Sequence, residues 1–166
     1  MRPYSALAIR SFCCAALLVS VCSFAAENKV SGVLNLGDEK IELKNAYVDM
    51  TQPTEPIVVL SDQPLPPSAI PFIPEKLVTD KNVHAIAFSV ATKGRALPHS
   101  GMLLLHIPGH GQVGMGNAED GNIKLVISRL DGSRMEGTIA TTKVIHVVQS
   151  VPPYSFALTF AVDLGK

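Results

Sequence analysis

The stretch Asn122–Thr141, NIKLVISRLDGSRMEGTIAT, decides the architecture. Ile123, Leu125 and Ile127 alternate with Lys124, Val126 and Ser128. Met135, Gly137 and Ile139 alternate with Arg134, Glu136, Thr138 and Ala140. A period of two marks a strand with one face on a core and the other in water. Asp131-Gly132 between two such runs marks a hairpin, and facing residues of an antiparallel pair must share a face. A two-residue Asp131-Gly132 loop would set Ile127 against Glu136 and bury a carboxylate. A three-residue loop, Leu130-Asp131-Gly132, instead sets Ile127 opposite Met135, Leu125 opposite Gly137 and Ile123 opposite Ile139. It also predicts Gly132 at positive φ. On the outer side it pairs Val126 with Glu136 and Ser128 with Arg134.

Working outward, the same period recurs. Tyr154 to Leu164 puts Phe156, Leu158, Phe160, Val162 and Leu164 on one face, and Val144 to Val148 reads as a further strand. Upstream, Gly109 to Gly121 carries five glycines and is expected to be irregular. Met102 to Leu105 reads as a buried strand after a loop reaching Ser100. Val83 to Thr92 sets Ile86, Phe88 and Val90 against the small Ala85, Ala87 and Ser89. Ile57 to Leu60 suits a strand covered on both faces. Val30 to Leu36 and Lys40 to Val48 read as the first two strands, with Ile41, Leu43 and Tyr47 on one face. Gln63 to Pro74 holds five prolines, which no helix interior or central strand tolerates. Its apolar Leu65, Ile70, Phe72 and Ile73 predict a stiff connection packed across the domain, with one helical turn possible at Glu75 to Asp80. The fold class is therefore all-β: about eight strands in an antiparallel two-sheet sandwich or flattened barrel, with no amphipathic helix.

The first residues read as an export signal rather than as fold. Arg2 and Arg10 precede an uncharged run from Ser11 to Ala26, and Ser23-Phe24-Ala25 places small residues at −3 and −1. Residues 1–25 are expected to form a cleavable signal helix, with cleavage after Ala26 the near alternative. Residues 26–166 are expected to form a single all-β domain with the Pro-rich connection at 63–74. The uncharged run is shorter than the roughly 18–20 apolar residues of a membrane span, so no span is expected after cleavage. Lipidation at Cys22 is a minor alternative, because Val21 stands where a small residue is usual. Cys13, Cys14 and Cys22 all lie in this leader, so the mature chain has no thiol and no disulfide framework. Without Arg2 and Arg10 the chain carries 12 basic against 14 acidic residues. That balance gives no footprint for nucleic acid. A secreted or periplasmic product is expected, whose partner is an unknown protein or small ligand.

Ile57-Val58-Val59-Leu60-Ser61-Asp62-Gln63-Pro64-Leu65, with Met135-Glu136-Gly137-Thr138 and Phe156-x-Leu158-x-Phe160, is similar to small exported bacterial domains of unknown function. That resemblance implies an all-β domain and assigns no activity and no catalytic residue.

Among chemistry-bearing residues, His99, His106 and His110 lie within a dozen positions. Neutral imidazoles suit Zn²⁺ or Cu²⁺, but Pro108 and Gly109 break the helical spacing that would align His106 with His110. The commoner reading is that these side chains make ordinary hydrogen bonds at a strand end. His84 shares the Ile86/Phe88 face and is expected to be a core-edge histidine with a backbone partner; His146 is expected to be solvated. The glycine-rich loop lacks a Gly-Lys-Ser/Thr ending and precedes a strand, so it is not a phosphate cradle. Its Asn117, Glu119, Asp120 and Asn122 do not follow the EF-hand order for Ca²⁺. Ser61-Asp62 and His99-Ser100 bring reactive types together without a Gly-x-Ser-x-Gly elbow. The leading reading is an exported non-catalytic binding or interaction module without a cofactor. A periplasmic His-based metal-binding protein and a hydrolase with an unrecognised site are the alternatives.

Overall fold

Ten strands form two five-stranded antiparallel sheets, and no helix is present among the described residues. The computed structural model describes residues 27–66, 82–91, 99–114, 121–147 and 150–165, of which 99–103 are described by backbone only. The expected signal helix and the turn at Glu75 to Asp80 lie outside them. In chain order the strands are β1 (Lys29–Leu36), β2 (Glu39–Glu42), β3 (Asn45–Asp49), β4 (Ile57–Ser61), β5 (Ala85–Ala91), β6 (His99–Ile107), β7 (Gly111–Gly114), β8 (Ile123–Leu130), β9 (Arg134–Thr141) and β10 (Tyr154–Asp163). The first sheet has the order β2-β1-β10-β9-β8, and the second β3-β4-β5-β6-β7.

One core lies between the sheets. β10 supplies Phe156, Leu158, Phe160 and Val162, β9 supplies Met135 and Ile139, and β5 supplies Ile86, Phe88 and Val90. Phe160 meets Phe88 across the gap edge to face, with ring centroids 5.2 Å apart and an interplanar angle of 68°. Room for the Phe160 ring comes from Gly137, its partner on β9. A Cβ there would lie 3.1 Å from Phe160 Cζ and 2.5 Å from the Val126 carbonyl oxygen. Gly32 in β1 stands at φ +129° opposite Leu158, and a Cβ there would lie 2.1 Å from the Ala157 carbonyl oxygen. Only glycine fits both the angle and the approach.

The hairpin keeps the expected faces, with Met135, Gly137 and Ile139 buried, but its register is two residues away from the expected one. Leu125 pairs with Ile139, Ile127 with Gly137 and Leu130 with Met135, and a bulge at Ser128 absorbs the odd residue. The turn is tighter than expected. Asp131 N donates to the Arg134 carbonyl (3.0 Å), leaving Gly132-Ser133 as the loop. Asp131 Oδ1 accepts from Ser133 N, Ser133 Oγ and Arg134 N. These bonds, with the Arg129 guanidinium on Oδ2, hold the Asp131 carboxyl far below the usual carboxylate range. With the carboxylate closing the turn, Gly132 is not among the glycines at positive φ.

Other expectations are corrected. The run Lys40 to Val48 is broken at Leu43-Lys44, and its halves join different sheets: β2 pairs with β1, β3 with β4. Ile41 and Leu43 therefore face the central core, while Tyr47 joins a second cluster on the far side of β4. The glycine-rich segment is not wholly irregular. Gly109 and Gly111, at φ 77° and 71°, reverse the chain so that β7 pairs with β6 and Val113 lies opposite Leu105. β6 begins at His99, inside the expected loop. Of the expected strand Val144 to Val148, the described residues 144–147 form a single bridge, Ile145 to Tyr154, and no named strand; Val148 lies outside the described residues.

Candidate functional site

The two sheets differ on their outer faces. On the second sheet that face is apolar and covered. Val59, Ala85 and Ala87 cluster with Leu65 and Val83, one at each end of the connection between β4 and β5. Tyr47 lends its hydroxyl as acceptor to Leu65 N at 2.9 Å. Leu65, at the start of the Pro-rich connection, thus packs on the sheet; residues 67–74 of that connection lie outside the described residues.

Polar groups are also buried on this side. Ser61, Ala85 and His106 stand in one cross-strand row, and His106 is buried between core-facing Leu105 and Ile107. Just beyond the row, His84 N donates to Asp62 Oδ1 and His84 Nδ1 lies 2.9 Å from Asp62 Oδ2. The ring partner of His84 is therefore a carboxylate, not the expected backbone group. A carboxylate accepts only, so the proton sits on Nδ1 and a neutral ring presents Nε2 as an acceptor. Such a pair is half of a proton-transferring site. The neighbouring Ser61 hydroxyl is committed elsewhere, donating to the Gln63 carbonyl at 2.7 Å.

The three histidines singled out for metal occupy one strand and the turn after it. His99 and His106 lie seven residues apart on β6, which separates their Cα atoms by roughly 23 Å at about 3.3 Å per residue. His110 is exposed in the turn, its N–H donating to the Ile107 carbonyl at 3.0 Å. The side chain of His99 lies outside the described residues. No three of His, Cys, Asp and Glu group as ligands among the described residues. His146 is exposed.

The first sheet leaves its outer face open, with a groove of about 480 Å³ running across β1, β10 and β9. Pairing places Ser31 opposite Thr159, Thr159 opposite Thr138, and Thr138 opposite Val126. These three hydroxyl side chains come from positions 31, 138 and 159 and meet only through strand register. Their alternation with buried residues was visible in the sequence; their alignment was not. Glu27, Lys29, Lys44 and Glu136 frame the groove. Each charge has a partner: Lys29 with Glu27 (3.7 Å), Lys44 with Glu42 (3.3 Å) and Glu136 with Arg134 (2.6 Å). These pairs are too exposed to contribute much to stability, but they leave the groove without net charge.

Comparison of the chain with family models, with curated proteins and with solved structures gives no match. The site therefore has to be read from its own geometry.

Proposed function

We propose that this chain is an exported, non-catalytic binding module, and that it binds through the open outer face of the first sheet. One observation carries the reading: of the two sheet faces turned away from the core, the second is covered by apolar packing, while the first is open and grooved. A rigid sheet bearing a polar concavity suits recognition, because its side chains are fixed by register before a ligand arrives. Export rests on the leader, with its basic start, uncharged run and Ser23-Phe24-Ala25. The non-catalytic part rests on the chemistry of the groove. Its carboxylates and ammonium groups are each engaged in an exposed ion pair, and among the described residues no histidine lines it to serve as a general base. The Asp62–His84 pair belongs to the other sheet, and the neighbouring Ser61 hydroxyl is turned to the Gln63 carbonyl instead.

The test is an NMR titration of the mature domain, beginning at Ala26, against panels of soluble oligosaccharides, peptides and metabolites. Amide shifts confined to β1, β9 and β10, with the probe recovered intact, are expected. Shifts centred on Asp62, His84 and His106, or turnover of a probe, would overturn the reading.

A further inference from the structure

We infer that the ligand of the groove is a neutral, polyhydroxylated chain, a glycan strand lying along the row Ser31–Thr159–Thr138–Val126. This rests on the binding face proposed above. The three hydroxyls sit on adjacent strands, roughly 4.8 Å apart, and make no hydrogen bond within the described residues. Each is both donor and acceptor, as a sugar hydroxyl is. Exchanging water for a ligand hydroxyl gains little at any one position. Useful affinity therefore requires a ligand that repeats the contact from strand to strand, which a polymer does.

Other ligand classes fit less well. A strongly ionised ligand needs a counter-charge, and the lysines and carboxylates around the groove balance one another. An apolar ligand needs an apolar floor, but the Phe160 ring that underlies the groove is only 2% exposed and turned toward Phe88. An extended peptide binds by adding to a sheet edge through its backbone, and β1, β10 and β9 each have strands on both sides. Val126 completes the row. It is 44% exposed at the end next to Thr138, where an apolar side chain can lie against the C–H face of a sugar ring.

The experiment is an amide-shift titration of the mature domain. The probes are hexasaccharides of β-1,4-linked glucose, β-1,4-linked N-acetylglucosamine, β-1,3-linked glucose and α-1,4-linked glucose, with an oligouronate and an uncharged polar peptide as contrasts. At least one neutral hexasaccharide should shift Ser31, Thr138 and Thr159, and its trisaccharide should bind more weakly. The double variant Thr138→Val, Thr159→Val keeps shape and strand preference, so it should melt as the parent does. Removing two hydrogen bonds of about 1 kcal/mol each should weaken binding tenfold or more. If the oligouronate or the peptide alone moves these residues, the binding face stands and the glycan assignment falls. If the row stays silent while another surface responds, or no probe binds, both fall.

Discussion

The two sheets have the same number of strands but solve different problems. In the first sheet burial alternates residue by residue, so that in β10 Phe156, Leu158, Phe160 and Val162 are buried while Ala157 and Thr159 are exposed. The second sheet is buried on both sides through its centre. Val58, Val59 and Leu60 in β4, and every residue of β5 from Ala85 to Val90, are buried. An antiparallel sheet with one wet face can carry a binding surface without touching the core. A sheet covered on both faces cannot, because each of its positions is a packing position. The open sheet is thus free to vary in surface chemistry, and the covered one is the mechanical base.

The comparison breaks most visibly under a matched pair of substitutions. Val59→Asp and Thr159→Asp each put a carboxylate on an outward-facing position, one on each sheet. At Val59, 0% exposed, the charge would lie among Ala85, Ala87, Leu65 and Val83, with no cation in that cluster among the described residues. The cost should be on the order of 5 kcal/mol, comparable with the whole stability of a small domain, and the variant should fail to fold. At Thr159 the carboxylate meets water, and the cost should stay within about 1 kcal/mol, set by strand preference. Urea unfolding followed by circular dichroism checks both. Equal effects at the two sites would mean that the outer faces do not differ as described.

The next effect sharpens what the open sheet demands of its backbone. Gly32→Ala should destabilise by on the order of 3 kcal/mol, since alanine is strained at φ +129° and its methyl would collide with the Ala157 carbonyl oxygen. Gly132→Ala should change little by comparison, because the neighbouring Asp131 carboxylate, not a glycine angle, closes that turn. Thermal melts of both variants check the contrast; a neutral Gly32→Ala would show that β1 approaches β10 less closely than described.

The Gly132 case marks where reading the sequence stops. Alternation reports which residues share a face, and it placed the inward sets of β5, β9 and β10 correctly. Register depends on counting residues round the turn, and one bulged residue at Ser128 alters the count without disturbing the apolar pattern. The sheet change at Leu43-Lys44 escaped for a related reason: a run of alternating residues does not say whether its two ends pair with the same neighbour. Short β7 was hidden by glycines that suggested irregularity, although Val113 supplied the apolar anchor. The groove needed all of this at once, because Ser31, Thr138 and Thr159 become neighbours only when β1, β10 and β9 lie in register. The clamp of Asp62 on His84 spans a connection of more than twenty residues and was equally out of reach.

The smallest effect comes from the core that both sheets share. Tyr154 begins β10, is 1% exposed, and its hydroxyl has no hydrogen-bond partner among the described residues. A buried unpaired hydroxyl forfeits its hydration without return. Tyr154→Phe removes the hydroxyl and keeps the ring, so it should stabilise the domain by about 1 kcal/mol, opposite in sign to the other substitutions. Burial also pushes the phenol up from its ordinary 10.0 to about 12. The unfolded chain therefore loses the Tyr154 proton first as the solution becomes alkaline. Stability associated with the neutral buried phenol is complete below pH 10 and is lost progressively as pH rises toward 12. Phenylalanine has no such titration, so the advantage of Tyr154→Phe over the parent should widen across that interval and be constant below it. Urea midpoints measured from pH 7 to pH 11 check this. If Tyr154→Phe is destabilising at neutral pH, the hydroxyl has a partner in solution, and β10 begins in a polar pocket instead of the shared core.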